Sequence, residues 1–424
     1  MKKVLLTTGL CILVAMSSFA QKKAVKDARN AMGKEQFMEA RELIKSAMTN
    51  PETANDPETW KTAGDIENKF YEQENLKQLT QKEFKEADMY NALLNSYDPY
   101  VKADELGQLP DEKGKIKNKV RKDVSAIMRA NHGGFVNGGI YFNNEKQYGK
   151  AADFFEKYWL IPSLPMFEDD KNAFNTNDST FQTIKYYAVI CAIQAEQHDR
   201  AVTMLKRITE EPFVENSTYK ESDVYELLAA EYENLKDSVN FLNTLQVAAE
   251  KFPGNKYFLP NLINQYIVKG QSDRAIEYLD KAIRNDPSGS CDLYSVKASL
   301  FAEKKDFTQA EDVYNTALGA DPNCERALEG LAVAYIVQAQ EIKDEATTVS
   351  TAQERAALDD RAKGFYQKSL PLLEKYRDLV MARESATNND KRLMYAKLQN
   401  AYYNLNMEKE FEEATAELEK YSNQ

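Results

Sequence analysis

The residue types able to do chemistry are few. The whole chain holds two histidines, His132 and His198. A Ser-His-Asp or Cys-His mechanism has to use one of them, and a multi-histidine metal site cannot be built. No Walker A, G-x-G-x-x-G, H-E-x-x-H, G-x-S-x-G or C-x-x-C spacing occurs. No catalytic residue, cofactor or metal is therefore expected.

Three features invite a closer reading. The run His132-Gly133-Gly134-Phe135-Val136-Asn137-Gly138-Gly139 holds four glycines. Such a run can cradle an anion on backbone N–H groups, but no Lys-Ser/Thr follows. Gly133-Gly134 is read as a helix stop and Gly138-Gly139 as a place of close helix packing. The stretch from Ser163 to Thr180 is rich in side-chain oxygens. EF-hand spacing fails there, because Phe174 stands two residues after Asn172, so a solvated insertion is expected rather than a calcium loop. Beyond Cys11, three cysteines remain: Cys191, Cys291 and Cys324. Cys191 fits its apolar surroundings as a small buried residue. Cys291 and Cys324 fall at nearly equivalent places in adjacent repeats, where packed helices lie about 8–10 Å apart. A bridge is geometrically marginal at that separation.

The elements that position these residues follow from composition. Glycine is 16 and proline 12 of 424 residues, below the usual ~7% and ~5%. All-β folds need frequent turns and are disfavoured; long helices fit. At this length one compact core is not expected. Acids outnumber bases 67 to 55, which argues against nucleic acid as a partner. The N-terminus reads as an export leader. Lys2 and Lys3 precede an apolar run from Val4 to Met16, and Ser18-Phe19-Ala20 offers small residues for cleavage before Gln21. That run is shorter than the ~20 residues of a membrane span. Leu10 precedes Cys11 where lipidation wants a small residue. Losing Lys2 and Lys3 takes the net charge from −12 to −14.

An internal repeat organises the rest. Tyr225-x-x-Leu228-Ala229-x-x-Tyr232 recurs as Leu259-x-x-Leu262-Ile263-x-x-Tyr266. It recurs again as Tyr294-x-x-Lys297-Ala298-x-x-Phe301 and as Leu328-x-x-Leu331-Ala332-x-x-Tyr335. Leu245, Ala248 and Pro253 keep step with Leu279, Ala282 and Pro287, then with Tyr314, Ala317 and Pro322. Four large or small apolar positions at 3.6-residue spacing make one helix face. The small residue admits a second helix, and the proline ends it. Such a hairpin buries its face only against the next one, so the units stack. Weaker copies extend the pattern. Ala28, Ala31, Phe37 and Ala40 form one, and Trp60, Ala63 and Gly64 open another, with Phe84, Ala87, Leu94 and Pro99 on its partner helix. Further copies carry Gly139, Phe142, Ala151 and Phe155; Ala188, Cys191, Ala201 and Leu205; and Tyr402, Phe411 and Ala414. About nine units result, above the three or so needed for stacking. Insertions fall between Glu67 and Phe84 and between Gln338 and Phe365. Thr351-Ala352-Gln353-Glu354 in the second is a capping box and predicts a helix. Lys113 to Asn131 predicts an extra helix that interrupts the register.

These landmarks closely resemble the tetratricopeptide repeat family, with its W-x₂-L-G-x₂-Y…A-x₃-F…P pattern and period near 34. The resemblance implies an all-α solenoid of helical hairpins, a right-handed superhelix, with helical insertions. Its expected divisions are a leader over 1–20, divergent units over 21–215, and a repeat array over 216–424 whose best copies span 222–338. It also implies an exported scaffold or adaptor that binds protein or peptide segments in a concave groove lined by the first helix of each unit. The competing readings are an envelope glycan- or nutrient-binding protein on the same core and an enzyme framed by repeats. The groove stripes then hold Asp223, Glu226, Ala230 and Glu233; Tyr257, Pro260, Asn264 and Ile267; Asp292, Ser295, Ser299 and Ala302; and Arg326, Glu329, Val333 and Ile336. Five acids face one arginine. The groove is expected to take basic or neutral segments. Glu226, Asn264, Arg326 and Glu329 are its polar candidates, and Tyr257 and Ile336 its apolar anchors.

Overall fold

The computed structural model describes residues 22–111, 113–170, 173–285 and 290–422, without the side chains of Asn285 and Ser290. The expected leader, with Cys11, lies outside them, as does Pro287. Among the described residues there is no strand, and the helices follow one another as nine pairs. The first three pairs are α1 (22–33) with α2 (Phe37–Thr49), α3 (Pro57–Leu79) with α4 (Glu86–Gly107), and α5 (Arg121–Asn144) with α6 (Tyr148–Leu160). Then come α7 (Ser179–Gln194) with α8 (His198–Glu210), α9 (Glu221–Asn234) with α10 (Ser238–Lys251), and α11 (Phe258–Val268) with α12 (Ser272–Asn285). The last three are α13 (Ser290–Glu303) with α14 (Phe307–Ala320), α15 (Glu325–Ala346) with α16 (Ala352–Ala382), and α17 (Asn388–Leu405) with α18 (Glu408–Ser422). Contacts divide the chain into two units, Met1–Thr244 and Leu245–Gln424, with the division inside α10. This division lies about thirty residues beyond the boundary expected near residue 215.

One turn closes most of these hairpins. Glu35, Lys146, Glu196, Lys236, Gly270, Lys305 and Asn406 all have φ between 57° and 66°. In each case the next residue donates its N–H to the carbonyl five positions back. Asp237 reaches Tyr232 (2.8 Å), Gln271 reaches Tyr266 (2.8 Å) and Asp306 reaches Phe301 (2.9 Å). This is the Schellman arrangement, and it satisfies carbonyls that a helix end leaves bare. The aromatic landmark of the repeat is thus the acceptor that ends the first helix. Six of the seven left-handed positions are not glycine. That costs backbone energy, which hairpin packing has to offset.

Small residues set the approach of the helices. Ala229, Ala298 and Ala332 on first helices, and Ala201, Ala275 and Ala310 on second helices, are fully buried. Glycine does the same work earlier in the chain. A Cβ on Gly138 or Gly139 would lie 2.4 Å from the ring of Phe154 or Phe155, and one on Gly64 would lie 2.7 Å from Tyr100. Close packing at Gly138-Gly139 is as expected. Gly133-Gly134 is not a helix stop, because α5 runs through both. Its amides are spent in the helical ladder, so no anion cradle forms. Lys113–Val120 is not helical either. The interrupting helix begins at Arg121 and is itself the first helix of the third pair. Its start is pinned by Asp104, which accepts from Arg121 Nε (2.7 Å), Arg121 Nη2 (2.8 Å) and Asn118 Nδ2 (2.7 Å).

The two insertions lengthen hairpins, as in α3–α4 and α15–α16. Thr351 caps α16, its Oγ1 accepting from Glu354 N (3.2 Å). The Glu354 carboxylate accepts a hydrogen bond from the Thr351 hydroxyl (2.7 Å). Pro99 does not end its helix, which continues to Gly107. In the 163–180 stretch, Asp178 caps α7 through Phe181 N (2.7 Å) and Asp170 pairs with Arg129. Asn172 lies outside the described residues.

Two stability outcomes follow. The last core cluster joins Leu328, Ala332 and Tyr366 to Met394, Leu398, Ala401 and Tyr402 of α17 and Ala414 of α18. A fragment from Ser217 to Ala386 should melt cooperatively as helix, but well below one from Ser217 to Gln424 when both are followed by far-UV dichroism. Equal melting temperatures would mean that α17–α18 cover nothing. The second outcome concerns Ala298, fully buried. Ala298→Leu should cost about 1–3 kcal/mol by overpacking. Its neighbour Lys297 reaches back to Asp280 of α12 (2.6 Å). Asp280 is part-exposed and can be hydrated, so Lys297→Leu should stay within about 1 kcal/mol of wild type in a denaturant titration.

Candidate functional site

The second unit carries a cavity of about 600 Å³ against α13, α14 and α15. Its walls come from the repeat pattern itself. Ser295, Ser299 and Ala302 project from α13, and Arg326, Glu329 and Val333 from α15. These are six of the eight positions in the last two groove stripes. α14 supplies Phe307 and Tyr314. Tyr314 reaches this place because Gly330 has no side chain: a Cβ there would sit 2.4 Å from the Tyr314 hydroxyl. Val296, Val337, Phe307 and Ala334 make the lining largely apolar.

The charges around it are mostly paired. Arg326 faces Asp292 (3.3 Å), Lys305 faces Glu341 (2.7 Å), and Glu329 faces Lys397 of α17 (3.0 Å). The stripe of five acids against one arginine is therefore modified by bases from neighbouring elements. Glu303 is exposed and lines the cavity without an ion pair among the described residues. Three acids and two bases line the space, leaving one acid in excess. The Tyr314 phenol feels this. Burial pushes it up to about 12, and Glu329 and Glu303 push the same way.

The other candidates are placed elsewhere. Ile336 packs on the last core cluster, while Val337 takes the cavity wall. Asn264 is exposed on α11. Tyr257 stands at the start of α11, its ring edge-on to Phe258 (5.5 Å), and its N–H donates to Asn255 Oδ1 (2.7 Å). Glu226 is in α9 and belongs to the first unit. The wall residues outside the stripes are Val296, Glu303, Lys305, Phe307, Tyr314, Gly330, Ala334, Val337 and Glu341. A signal existed for two of them. Continuing from Val333 by fours gives Val337 and Glu341, whereas the stripe stepped by three to Ile336.

The cysteines depart from expectation. Cys291 and Cys324 form a disulfide, with Cα atoms 5.8 Å apart. The axis spacing of two helix bodies does not apply, because Cys291 is in the first turn of α13 and Cys324 is the N-cap of α15. Ser295 lies beside the bridge, donating to the Cys291 carbonyl (2.7 Å) and 3.7 Å from Cys324 Sγ. Cys191 is a buried free thiol, pushed up to about 11 by burial. His132 Nε2 bonds the Tyr158 carbonyl (2.8 Å), and its ring stacks on Tyr158 and meets Phe174 edge-on. His198 Nδ1 bonds buried Glu231 (2.8 Å). Among the described residues, neither histidine shares a hydrogen bond with a serine or cysteine side chain.

The period, landmarks and paired helices define an all-α helical-hairpin repeat protein, the architecture that the resemblance to tetratricopeptide repeats implies. No family model and no curated protein sequence matches the chain. Solved structures do show similarity. A tetratricopeptide repeats protein from Bacteroides fragilis is 16% identical and covers 63% of this chain and 97% of its own, with a TM-score of 0.32. The C-terminal part of a repeat protein from Cytophaga hutchinsonii is 17% identical and covers 63% and 92%, with a TM-score of 0.34. YrrB, described as a tetratricopeptide protein with an unusual peptide-binding site, is 18% identical and covers 46% and 89%, with a TM-score of 0.28. At these scores the matches say nothing of this chain's partner or activity.

The cavity yields a structural outcome. Gly330→Ala should drive the Tyr314 ring out of its place, at a cost of about 1–3 kcal/mol. A denaturant midpoint unchanged from wild type would mean that Tyr314 swings aside freely.

Proposed function

We propose that the chain is an exported scaffold that binds segments of other proteins in the α13–α15 cavity. The observation that carries this reading is the coincidence of the cavity with the groove stripes. Apolar walls favour aliphatic side chains. The excess acid, with Glu303 unpaired at the edge, favours a basic or neutral segment over an acidic one. Export is supported by the basic and apolar leader over 1–20 and by the disulfide, which persists in oxidising compartments. Among the described residues no helix is long and apolar enough to cross a membrane. We further propose that the divergent units over 21–215 and the regular array over 216–424 are distinct in role, the second providing the binding surface.

The test uses two matched peptides in which valine alternates with lysine or with glutamate. Fluorescence anisotropy should show tighter binding of the lysine peptide, weakened by added salt. Glu303→Lys should lower its affinity by up to about fivefold, as expected for a rim charge. Binding indifferent to salt, to peptide charge and to Glu303→Lys would remove the electrostatic part of the reading. No binding of either peptide would remove the cavity as the site.

A further inference from the structure

The first unit holds a second cavity, independent of the groove. About 260 Å³ lies among α6, α7, the end of α8 and the 163–180 stretch. Lys185, Arg207 and Glu211 line it, with Trp159 beside them and exposed Asn177 on the rim. Glu211 accepts three hydrogen bonds. They come from Lys185 Nζ, from Arg207 Nε (2.7 Å) and from Trp159 Nε1 (3.0 Å).

The cations are not fully used. The Lys185 side chain is only 4% exposed. An ammonium carries three donors, and one goes to Glu211. Among the described residues the others have no acceptor; the rings of Trp159 (5.4 Å) and Phe181 (5.2 Å) stand nearby instead. Arg207 places Nη2 on Ser163 Oγ (3.2 Å) and stacks over Trp159 (5.0 Å), which leaves further guanidinium donors. Two positive charges thus share one carboxylate, and no other acid lines the cavity among the described residues. Burial draws the Lys185 ammonium down, with Arg207 adding to the fall, against the pull of Glu211. A buried cation with spare donors is costly unless an acceptor meets it. In a chain with an excess of acids, such a site is the reverse of its surroundings.

We propose that this cavity binds a small oxyanion, the carboxylate or phosphate group of a compact ligand, held by the Lys185 ammonium and the Arg207 guanidinium. Its size corresponds to roughly nine water volumes, which admits phosphate or a short dicarboxylate and excludes a folded partner. The planar fork of Arg207 suits either group.

The chain's two tryptophans are Trp60 and Trp159, so Trp60→Phe leaves one indole at the wall of the site. In that full-length background, Trp159 fluorescence is titrated with inorganic phosphate and with succinate at matched ionic strength in chloride. A saturable change with at least one is expected. Phosphate alone assigns a phosphoryl ligand, succinate alone a carboxylate, and both a general oxyanion site. Arg207→Gln should weaken binding by about tenfold or more, the loss of a charge-assisted contact. Asn177→Phe blocks the rim without touching the ion-pair network and should abolish the signal while leaving the melting temperature in place. No saturable change with either anion up to tens of millimolar overturns the proposal, as does a change that survives undiminished in both variants.

Discussion

The structure depends on how closely two helices can approach when the residue between them has almost no side chain. Ala229, Ala298, Ala332 and the glycines at 64, 138 and 139 each stand where a ring or a helix presses directly on backbone. Close approach lets Phe154, Phe155 and Tyr100 be buried whole, and burial of large rings is the main favourable term available to a thin, stacked architecture. The Schellman turn completes the constraint. By ending α5, α9, α11, α13 and α17 at their aromatic landmarks, it directs the chain back within a few residues and places the second helix against the small position. The non-glycine residues at φ near +60° show which term wins. Hairpin packing outweighs a local backbone cost at Glu35, Lys146, Glu196, Lys236 and Lys305.

That hierarchy explains what could be read from the chain and what could not. The regular copies from α9 to α15 were legible, because period and residue type agree there. So were the number of units and the helical nature of the insertion after Thr351. Local signals misled where packing overrode them. Gly133-Gly134 has the composition of a stop, yet a Cβ on Gly134 would meet the Tyr71 hydroxyl at 2.6 Å. The position is chosen for proximity rather than for turning. Pro99 and Pro371 look like helix ends but lie inside α4 and α16. Asn95 and Gln367, whose carbonyls they leave unpaired, are exposed residues, so water can take the missing place and the cost is limited. In the Lys113–Val120 stretch Asn118 already bonds Asp104, and the helix starts only where Arg121 joins it.

Charge was harder to read than shape for a related reason. A stripe on one helix predicts which side chains share a face, but not which bases arrive from other elements. Glu329 looked like a free groove acid. Lys397 comes from α17, about seventy positions further along the chain, and no periodicity within the repeat announces it. Lys297 looked like a defect in the apolar pattern, yet Asp280 on the preceding helix supplies its partner. Stacked hairpins bring each helix face against the next unit, so net charge along one stripe overstates the field at the groove. The opposite holds in the first unit, where Lys185 and Arg207 concentrate positive charge that the overall composition conceals.

The α13–α15 cavity is bounded by bonds of different kinds at its two ends. Near the helix starts, the Cys291–Cys324 disulfide fixes the backbones 5.8 Å apart, and Ser295 packs beside it. Toward the other end, the contact is the Lys305–Glu341 ion pair, between a residue in the turn after α13 and one well along the longer α15. A covalent tie does not respond to ionic strength, whereas an exposed ion pair is screened by salt. The wall near Ser295 is therefore rigid, and the wall near Val337 and Glu341 can yield. The cavity therefore has a fixed polar end and an adjustable apolar one. In the proposed binding of a segment, these would give a defined anchor at the first and tolerance of side-chain size at the second. The lengthening of α15 beyond its repeat partners extends the adjustable wall past the end of α13, so the insertion that breaks the period also lengthens one wall of the cavity.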